Sequence, residues 1–166
     1  MQLDVGPVLY SQGGRLSFAE KYDFSDMEFG AQKPADSPVE ATGEVVNTAG
    51  VLLLKAGIET VLHCVCDRCA APFERDVRFD TEAVLCEDPD EEDVSSFPIT
   101  DGVVDLDEII TSAFVLQMDS RFICKPDCKG LCPRCGADLN SGPCGCESET
   151  DPRWEALRGM FGTEEQ

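Results

Sequence analysis

Six of the chain's ten cysteines lie in the 23 residues from Cys124 to Cys146, and no other feature restricts the fold as much. The run reads Cys124-Lys-Pro-Asp-Cys128-Lys-Gly-Leu-Cys132-Pro-Arg-Cys135-Gly-Ala-Asp-Leu-Asn140 and closes with Cys144-Gly-Cys146. Tetrahedral zinc, with Zn–S near ~2.3 Å, holds its sulfurs about 3.8 Å apart, and a Cys-x-x-Cys turn supplies that spacing. Pro133 fixes φ inside the turn, and Gly136 permits the positive φ such a turn often needs next. In an extended Cys144-Gly-Cys146 both thiols fall on one face. The spacing predicts a short zinc-ribbon-like knuckle with Cys132, Cys135, Cys144 and Cys146 as ligands.

A second set is Cys66, Cys69, Cys124 and Cys128. It closes only if the end of a strand meets the end of a helix, and the looser Cys124-x-x-x-Cys128 spacing leaves open a register in which Cys128 displaces a ribbon ligand. Four thiolates also suit an iron–sulfur cluster, so iron stands beside zinc as an occupant. Disulfides are the other use of an even cysteine count. A closed four-cysteine site has no open coordination position, which makes its role structural. Cys64 and Cys86 read as core or incidental thiols. His63 lies on the strand face opposite Cys66 and reads as a packed or surface histidine.

The 166 residues suffice for an ordinary domain with a core. Met1 to Pro7 has no basic region and no long apolar run, and no apolar stretch is long enough to span a bilayer, so the expectation is a cytoplasmic protein with reduced thiols. The formal charge is −20. Such a chain repels bare phosphate backbone, and each tetrathiolate zinc adds about two more negative charges. The cysteine stretch is the exception. Between Gln117 and Ala137, Arg121, Lys125, Lys129 and Arg134 face only Asp119 and Asp127, a balance of +2 before thiolates. These four cations are the candidate contact to RNA or a partner, or they simply offset metal-thiolate charge.

Strand signals occupy most of the remainder. Met1 to Val8 alternates weakly, and Leu16 to Phe24 has an apolar period of two. Val39 to Val46 is a strand and Asn47 to Gly50 a turn. Val51 to Leu54 is an apolar run, Gly57 a break or bulge, and Ile58 to Cys66 a strand apolar on both faces, hence central. In Glu74 to Leu85, Val77, Phe79, Ala83 and Leu85 face in and Asp76, Arg78, Asp80 and Glu82 face out. Residues 87–93 hold six acids and read as a solvated loop. Asp105 caps an amphipathic helix from Leu106 to Met118, with Glu108 placed to complete a capping box. Asp151-Pro-Arg-Trp154 opens a short terminal helix that packs Trp154, Leu157 and Phe161. The expected fold is α+β: a mostly antiparallel β-sheet or partly closed barrel, one amphipathic helix, the knuckle and the terminal helix. It divides into a β-rich body, 1–118, with its helix at 105–118, and a cysteine-rich segment, 119–166, packed on it as one domain.

No catalytic set is visible. There is a single histidine, no Gly-x-Ser-x-Gly, no phosphate loop and no dinucleotide fingerprint, and the carboxylates read as solvated. Cys128-Lys-Gly-Leu-Cys-Pro-x-Cys-Gly-x-x-Leu-Asn140, then Cys144-x-Cys146 and Asp151-Pro-Arg-x-x-x-Leu157, resembles the YceD family of large ribosomal RNA subunit accumulation proteins. Cys66-x-Arg68-Cys69 after an apolar strand and Asp105-Leu106 opening a helix fit the same pattern. The resemblance implies a non-enzymatic role in synthesis, processing or accumulation of large-subunit (23S) ribosomal RNA. It also implies a metal that supports the fold. Acting as an adaptor or chaperone, the acidic body would hold a basic ribosomal protein or assembly factor, and the cysteine-rich tip would touch ribosomal RNA; no membrane or small-molecule substrate is implied. The alternative is a zinc-binding interaction module, a transcription or redox adaptor without ribosomal role.

Overall fold

A computed structural model describes residues 1–89 and 95–146. The terminal helix expected from Asp151 and most of the acidic run, 90–93, lie outside the described residues. The centre of the fold is an open five-stranded sheet in the order β2 (Arg15–Tyr22), β3 (Val39–Thr48), β4 (Val51–Val65), β5 (Pro72–Cys86), β6 (Ser96–Pro98). β2 to β5 pair antiparallel with their sequence neighbours, and β6 joins the end of β5 in parallel. Among the described residues β2 and β6 are sheet edges, so the sheet is open and the barrel alternative does not apply.

β4 is central, as apolar residues on both of its faces predict. Its burial alternates along its length, with Leu52, Leu54, Ala56, Ile58, Thr60, Leu62 and Cys64 inward. Gly57 is neither a break nor a bulge. It pairs with Thr42 on one side and Asp80 on the other in an uninterrupted register, so cross-strand pairing overrides the weak strand propensity of glycine. The β3–β4 turn is tight because Ala49 (φ 54°) and Gly50 (φ 92°) both take positive φ, the backbone a two-residue hairpin turn needs. Asn47 ties this turn to the rest: its Oδ1 accepts from the Gly50 N–H at 2.9 Å, and its Nδ2 donates to the Val8 and Leu9 carbonyls at 2.8 and 2.9 Å.

The opening segment is only in part a strand. β1 is Gln2–Asp4, and Pro7, whose fixed φ suits a first helical turn, starts the short α1 (Gly6–Leu9). β1 pairs antiparallel with β7 (Val103–Asp105), and the chain turns directly into α2 (Leu106–Gln117). Asp105 caps this helix, its side chain accepting from the Asp107 N–H at 3.0 Å. Leu106, Ile109, Ile110, Ala113 and Phe114 are buried, whereas Gln117, which shares their spacing, is exposed. Phe114 is fully buried and its ring sits 4.9 Å from that of Phe24. Burying each such large side chain stabilises the fold by about 1.5–3 kcal/mol. The helix therefore closes over the inner sheet face and ends on the same side as the end of β4.

Candidate metal centres

β4 ends one residue before Cys66, and the Cys66-x-x-Cys69 turn is the apex of the β4–β5 hairpin. The Cys66 N–H donates to the Ala71 carbonyl at 2.9 Å and the Ala70 N–H to the Cys66 carbonyl at 2.8 Å. Ala70 takes φ 56° to allow this. The chain leaving α2 is pinned to the apex by Asp67. Its backbone N–H donates to the Phe122 carbonyl at 2.8 Å, and its carboxylate accepts from the Phe122 N–H at 2.7 Å. Cys124 and Cys128 thereby reach Cys66 and Cys69. The Cys66–Cys128 and Cys69–Cys124 sulfurs lie 3.9 and 3.7 Å apart, and all four sulfurs fall within 4.8 Å of one another. Tetrahedral zinc asks for about 3.8 Å, so this donor set fits a metal ion. The centre is sheltered: Cys66 and Cys128 are 2% and 3% exposed, with Phe73 and Ile123 packed around them.

Cys132, Cys135, Cys144 and Cys146 form the second group, again with every sulfur within 4.8 Å of the rest. Its turn is closed by Cys132 N–H to the Ala137 carbonyl at 2.8 Å and Gly136 N–H to the Cys132 carbonyl at 2.9 Å, with Gly136 at φ 71°. Cys128 sits with the first group, so the alternative register is not adopted. All ten cysteines are free thiols. The two groups have the composition and sulfur spacing to hold a metal ion each.

Each group contains a thiol of lowered pKa beside thiols of raised pKa, Cys69 and Cys124 in the first and Cys146 in the second. Burial pushes Cys66 up, but backbone N–H groups of Cys124, Cys69 and Arg68 outweigh it and bring the thiol down to about 6. Cys124 is pushed up to about 12 by desolvation and by hydrogen bonds with its sulfur neighbours. In the second group backbone N–H groups of Cys135 and Arg134 bring Cys132 down to about 6, while a hydrogen bond with Cys135 and desolvation raise Cys146 to about 12. Inward-pointing N–H groups at a Cys-x-x-Cys turn favour thiolate, the form that binds metal.

The remaining sequence candidates contribute no ligand atom to either group. Cys64 is buried in the apolar core, where desolvation raises its pKa, and Cys86 is half-buried near β6. His63 is exposed on the outer sheet face, its Nδ1 against Asp36 and its Nε2 3.5 Å from Glu74. Arg121, Lys125, Lys129 and Arg134 are all exposed along the cysteine segment, and Arg121 lines an open cleft of about 560 Å³ beside Cys124.

Sequence reasoning missed the residues that assemble the first group. Arg75 pairs with Asp119, donates to the Ile123 carbonyl at 3.2 Å and lies over the Phe73 ring. Its signal was a lone cation on the inward face of β5, between Phe73 and Val77. Gln32 substitutes for a missing strand neighbour where β3 has left the sheet: its amide accepts from the Val65 N–H at 2.7 Å and donates to the Val65 carbonyl at 2.8 Å. Nothing in the irregular stretch around it marks that role.

With both groups in place, comparison with known proteins decides the family. Residues 54–161 match the family described as large ribosomal RNA subunit accumulation protein YceD, a span that contains every cysteine of both groups. The chain belongs to the YceD family. An uncharacterized protein of Mycobacterium tuberculosis is 32% identical over 142 residues, covering 81% of this chain and 65% of that protein. The maize chloroplastic large ribosomal RNA subunit accumulation protein YCED homolog 1 is 27% identical over 158 residues, covering 75% of this chain and 54% of its own length. The Arabidopsis thaliana protein of the same name is 24% identical over 147 residues, with coverage of 70% and 46%. The chain thus spans about half to two-thirds of the length of these curated relatives. No solved structure matches it. Among the described residues no helix is long and apolar enough to cross a membrane.

Proposed function

We propose that this YceD protein is a non-enzymatic factor in the accumulation of large-subunit ribosomal RNA, held in shape by zinc in both four-cysteine groups. The observation that carries the reading is the family match over 54–161, supported by the names of the two plant relatives. Zinc is favoured because the sulfur separations suit a single tetrahedral ion and the donors are all cysteine sulfur. Loaded with zinc at both groups, the chain would go from a formal charge of −20 to about −24. Free thiols of this kind belong in a reducing compartment such as the cytoplasm.

The acidic surface suits a basic ribosomal protein or assembly factor, attracted by charge complementarity. Arg121, Lys125, Lys129 and Arg134 give the cysteine segment exposed cations from which RNA would be contacted. The test is the ratio of large- to small-subunit ribosomal RNA in cells deleted for the chain, restored by the native protein and not by Cys66→Ser/Cys69→Ser. An unchanged ratio on deletion refutes the ribosomal reading and favours an interaction module of another kind. RNA retention that survives Lys125→Glu, Lys129→Glu and Arg134→Glu together refutes the cationic contact.

A further inference from the structure

The Leu139-Asn140 pair that follows the Cys132–Cys135 turn belongs to neither ligand set, yet Asn140 reaches from one to the other. Its Nδ2 lies 3.6 Å from the Cys128 sulfur, in the first group, although Asn140 itself sits in the loop between Cys135 and Cys144 of the second. The orientation of the amide is fixed by its neighbours. Oδ1 accepts from the Lys129 N–H at 2.9 Å, which leaves Nδ2 to face both the sulfur and Asp138 Oδ1, the latter at 2.7 Å. Asp138 in turn accepts from the Asn140 backbone N–H at 2.9 Å, so the turn that presents the amide is itself held.

The linker between the two groups is equally constrained. Residues 129–131 run against Arg68, within the first Cys-x-x-Cys. The Leu131 N–H donates to the Arg68 carbonyl at 2.9 Å, and Arg68 Nη1 donates to the Cys128 carbonyl at 3.0 Å. Gly130 takes φ 75° there, and a Cβ on it would stand 2.8 Å from the Arg68 carbonyl oxygen. The Leu139 N–H returns to the Gly130 carbonyl at 3.0 Å, laying the loop of the second group over the linker. A tetrathiolate centre carries about two excess negative charges, and Cys128 is too buried for water to solvate its share freely. An N–H aimed at that sulfur stabilises it in the charged form that the metal needs.

We propose that Asn140 is a positioning residue coupling the two centres: metal at Cys132, Cys135, Cys144 and Cys146 closes the loop that holds the Asn140 amide against the Cys128 thiolate, and so tightens metal binding at Cys66, Cys69, Cys124 and Cys128. The inference rests on the reading that both groups hold zinc. Coupling of this kind is reciprocal, so metal at the first centre tightens the second by the same factor.

The test is a cycle of four 166-residue chains: native, Cys144→Ser/Cys146→Ser, Asn140→Ala, and the three substitutions combined. Zinc affinity of the first centre is read by competition with a chromophoric chelator. The centre is assigned by cadmium NMR as the resonance missing from Cys66→Ser/Cys69→Ser. Removing an outer-shell partner typically costs about 10–100-fold in metal affinity, so losing the second centre should weaken the first by that factor in the native background. With Ala at 140 the factor should fall to near one, a change that general loss of stability would not produce. A factor near one in the native background, or a full factor surviving Asn140→Ala, overturns the coupling while leaving the zinc reading intact. A native chain that takes up no zinc overturns that reading and the coupling with it.

Discussion

Gly130 combines a positive φ with a close backbone neighbour, and the cost of Gly130→Ala can be worked out against a control in the same segment. Gly130 and Gly136 have nearly the same backbone, φ 75° and 71°, but different surroundings. An alanine at either position takes the left-handed conformation at about 1–2 kcal/mol. At Gly136 nothing lies within 4 Å of the added Cβ, so that is the whole expected cost. At Gly130 the Cβ would stand 2.8 Å from the Arg68 carbonyl oxygen, a backbone atom that cannot swing aside. The linker must back away, and the bond from the Leu131 N–H to that carbonyl weakens, adding about 1 kcal/mol or somewhat more. Gly130→Ala should therefore cost about 2–4 kcal/mol and Gly136→Ala about 1–2. Urea unfolding of both variants and the native chain, with free zinc buffered at one concentration, measures the difference. Equal midpoints for the two variants would refute the argument, because they would show that the approach to Arg68 does not constrain the linker.

Asn47→Ala leaves the Val8 and Leu9 carbonyls without their amide donor at a position 2% exposed; a loss of about 2–3 kcal/mol in urea unfolding is expected, and Asn47→Asp should cost more because a carboxylate would face two carbonyls. His63 has its pKa raised above the usual imidazole range by its hydrogen bond to Asp36, against a smaller desolvation effect, with the Asp36 and Glu74 charges adding to the rise. A raised folded-state pKa gives stability that is complete below the unfolded value of about 6.5 and is lost as pH rises through the folded value. The native chain should thus exceed His63→Gln in Tm at pH near ~5.5 and lose that lead by pH ~8.5; a lead that grows with pH refutes the assignment. Stripping metal with a chelator should lower amide-exchange protection at 66–71 and 122–140 well below that of β2, β3 and the body of β4, and unchanged protection at the hairpin apex would show that metal adds nothing to the assembly of the thiols.

What could be read from the sequence divides by the range of the interaction concerned. The second group lies within 15 residues, from Cys132 to Cys146, and its turn residues Pro133 and Gly136 are visible beside it. The helix from Leu106 was equally plain, because Asp105 and the spacing of Ile109, Ile110, Ala113 and Phe114 act over one or two turns. Gly57 misled for the opposite reason. A glycine weakens a strand locally, but Thr42 and Asp80 on the neighbouring strands hold it in register, and neither appears in a window around it. Pro7 was a helix-start signal set in a weakly alternating stretch that read more readily as strand.

The first group was open in the sequence because its two halves are brought together by residues that no cysteine pattern contains. Cys66 and Cys128 stand 62 positions apart, and what joins them is Asp67 holding Phe122 while Arg75 holds Asp119 and Ile123. In a chain with 33 acids against 13 bases, one more aspartate reads as solvated surface. Yet these particular charges fix the exit of α2 over the apex of β4–β5 with the four sulfurs already within reach of one ion. Such prior placement matters to the metal. A ligand set assembled by backbone and side-chain hydrogen bonds pays less ordering entropy on binding than four free thiols would. It follows that Asp67→Ala, which touches no sulfur, should weaken metal at the first centre by releasing the Phe122 N–H from the Asp67 carboxylate.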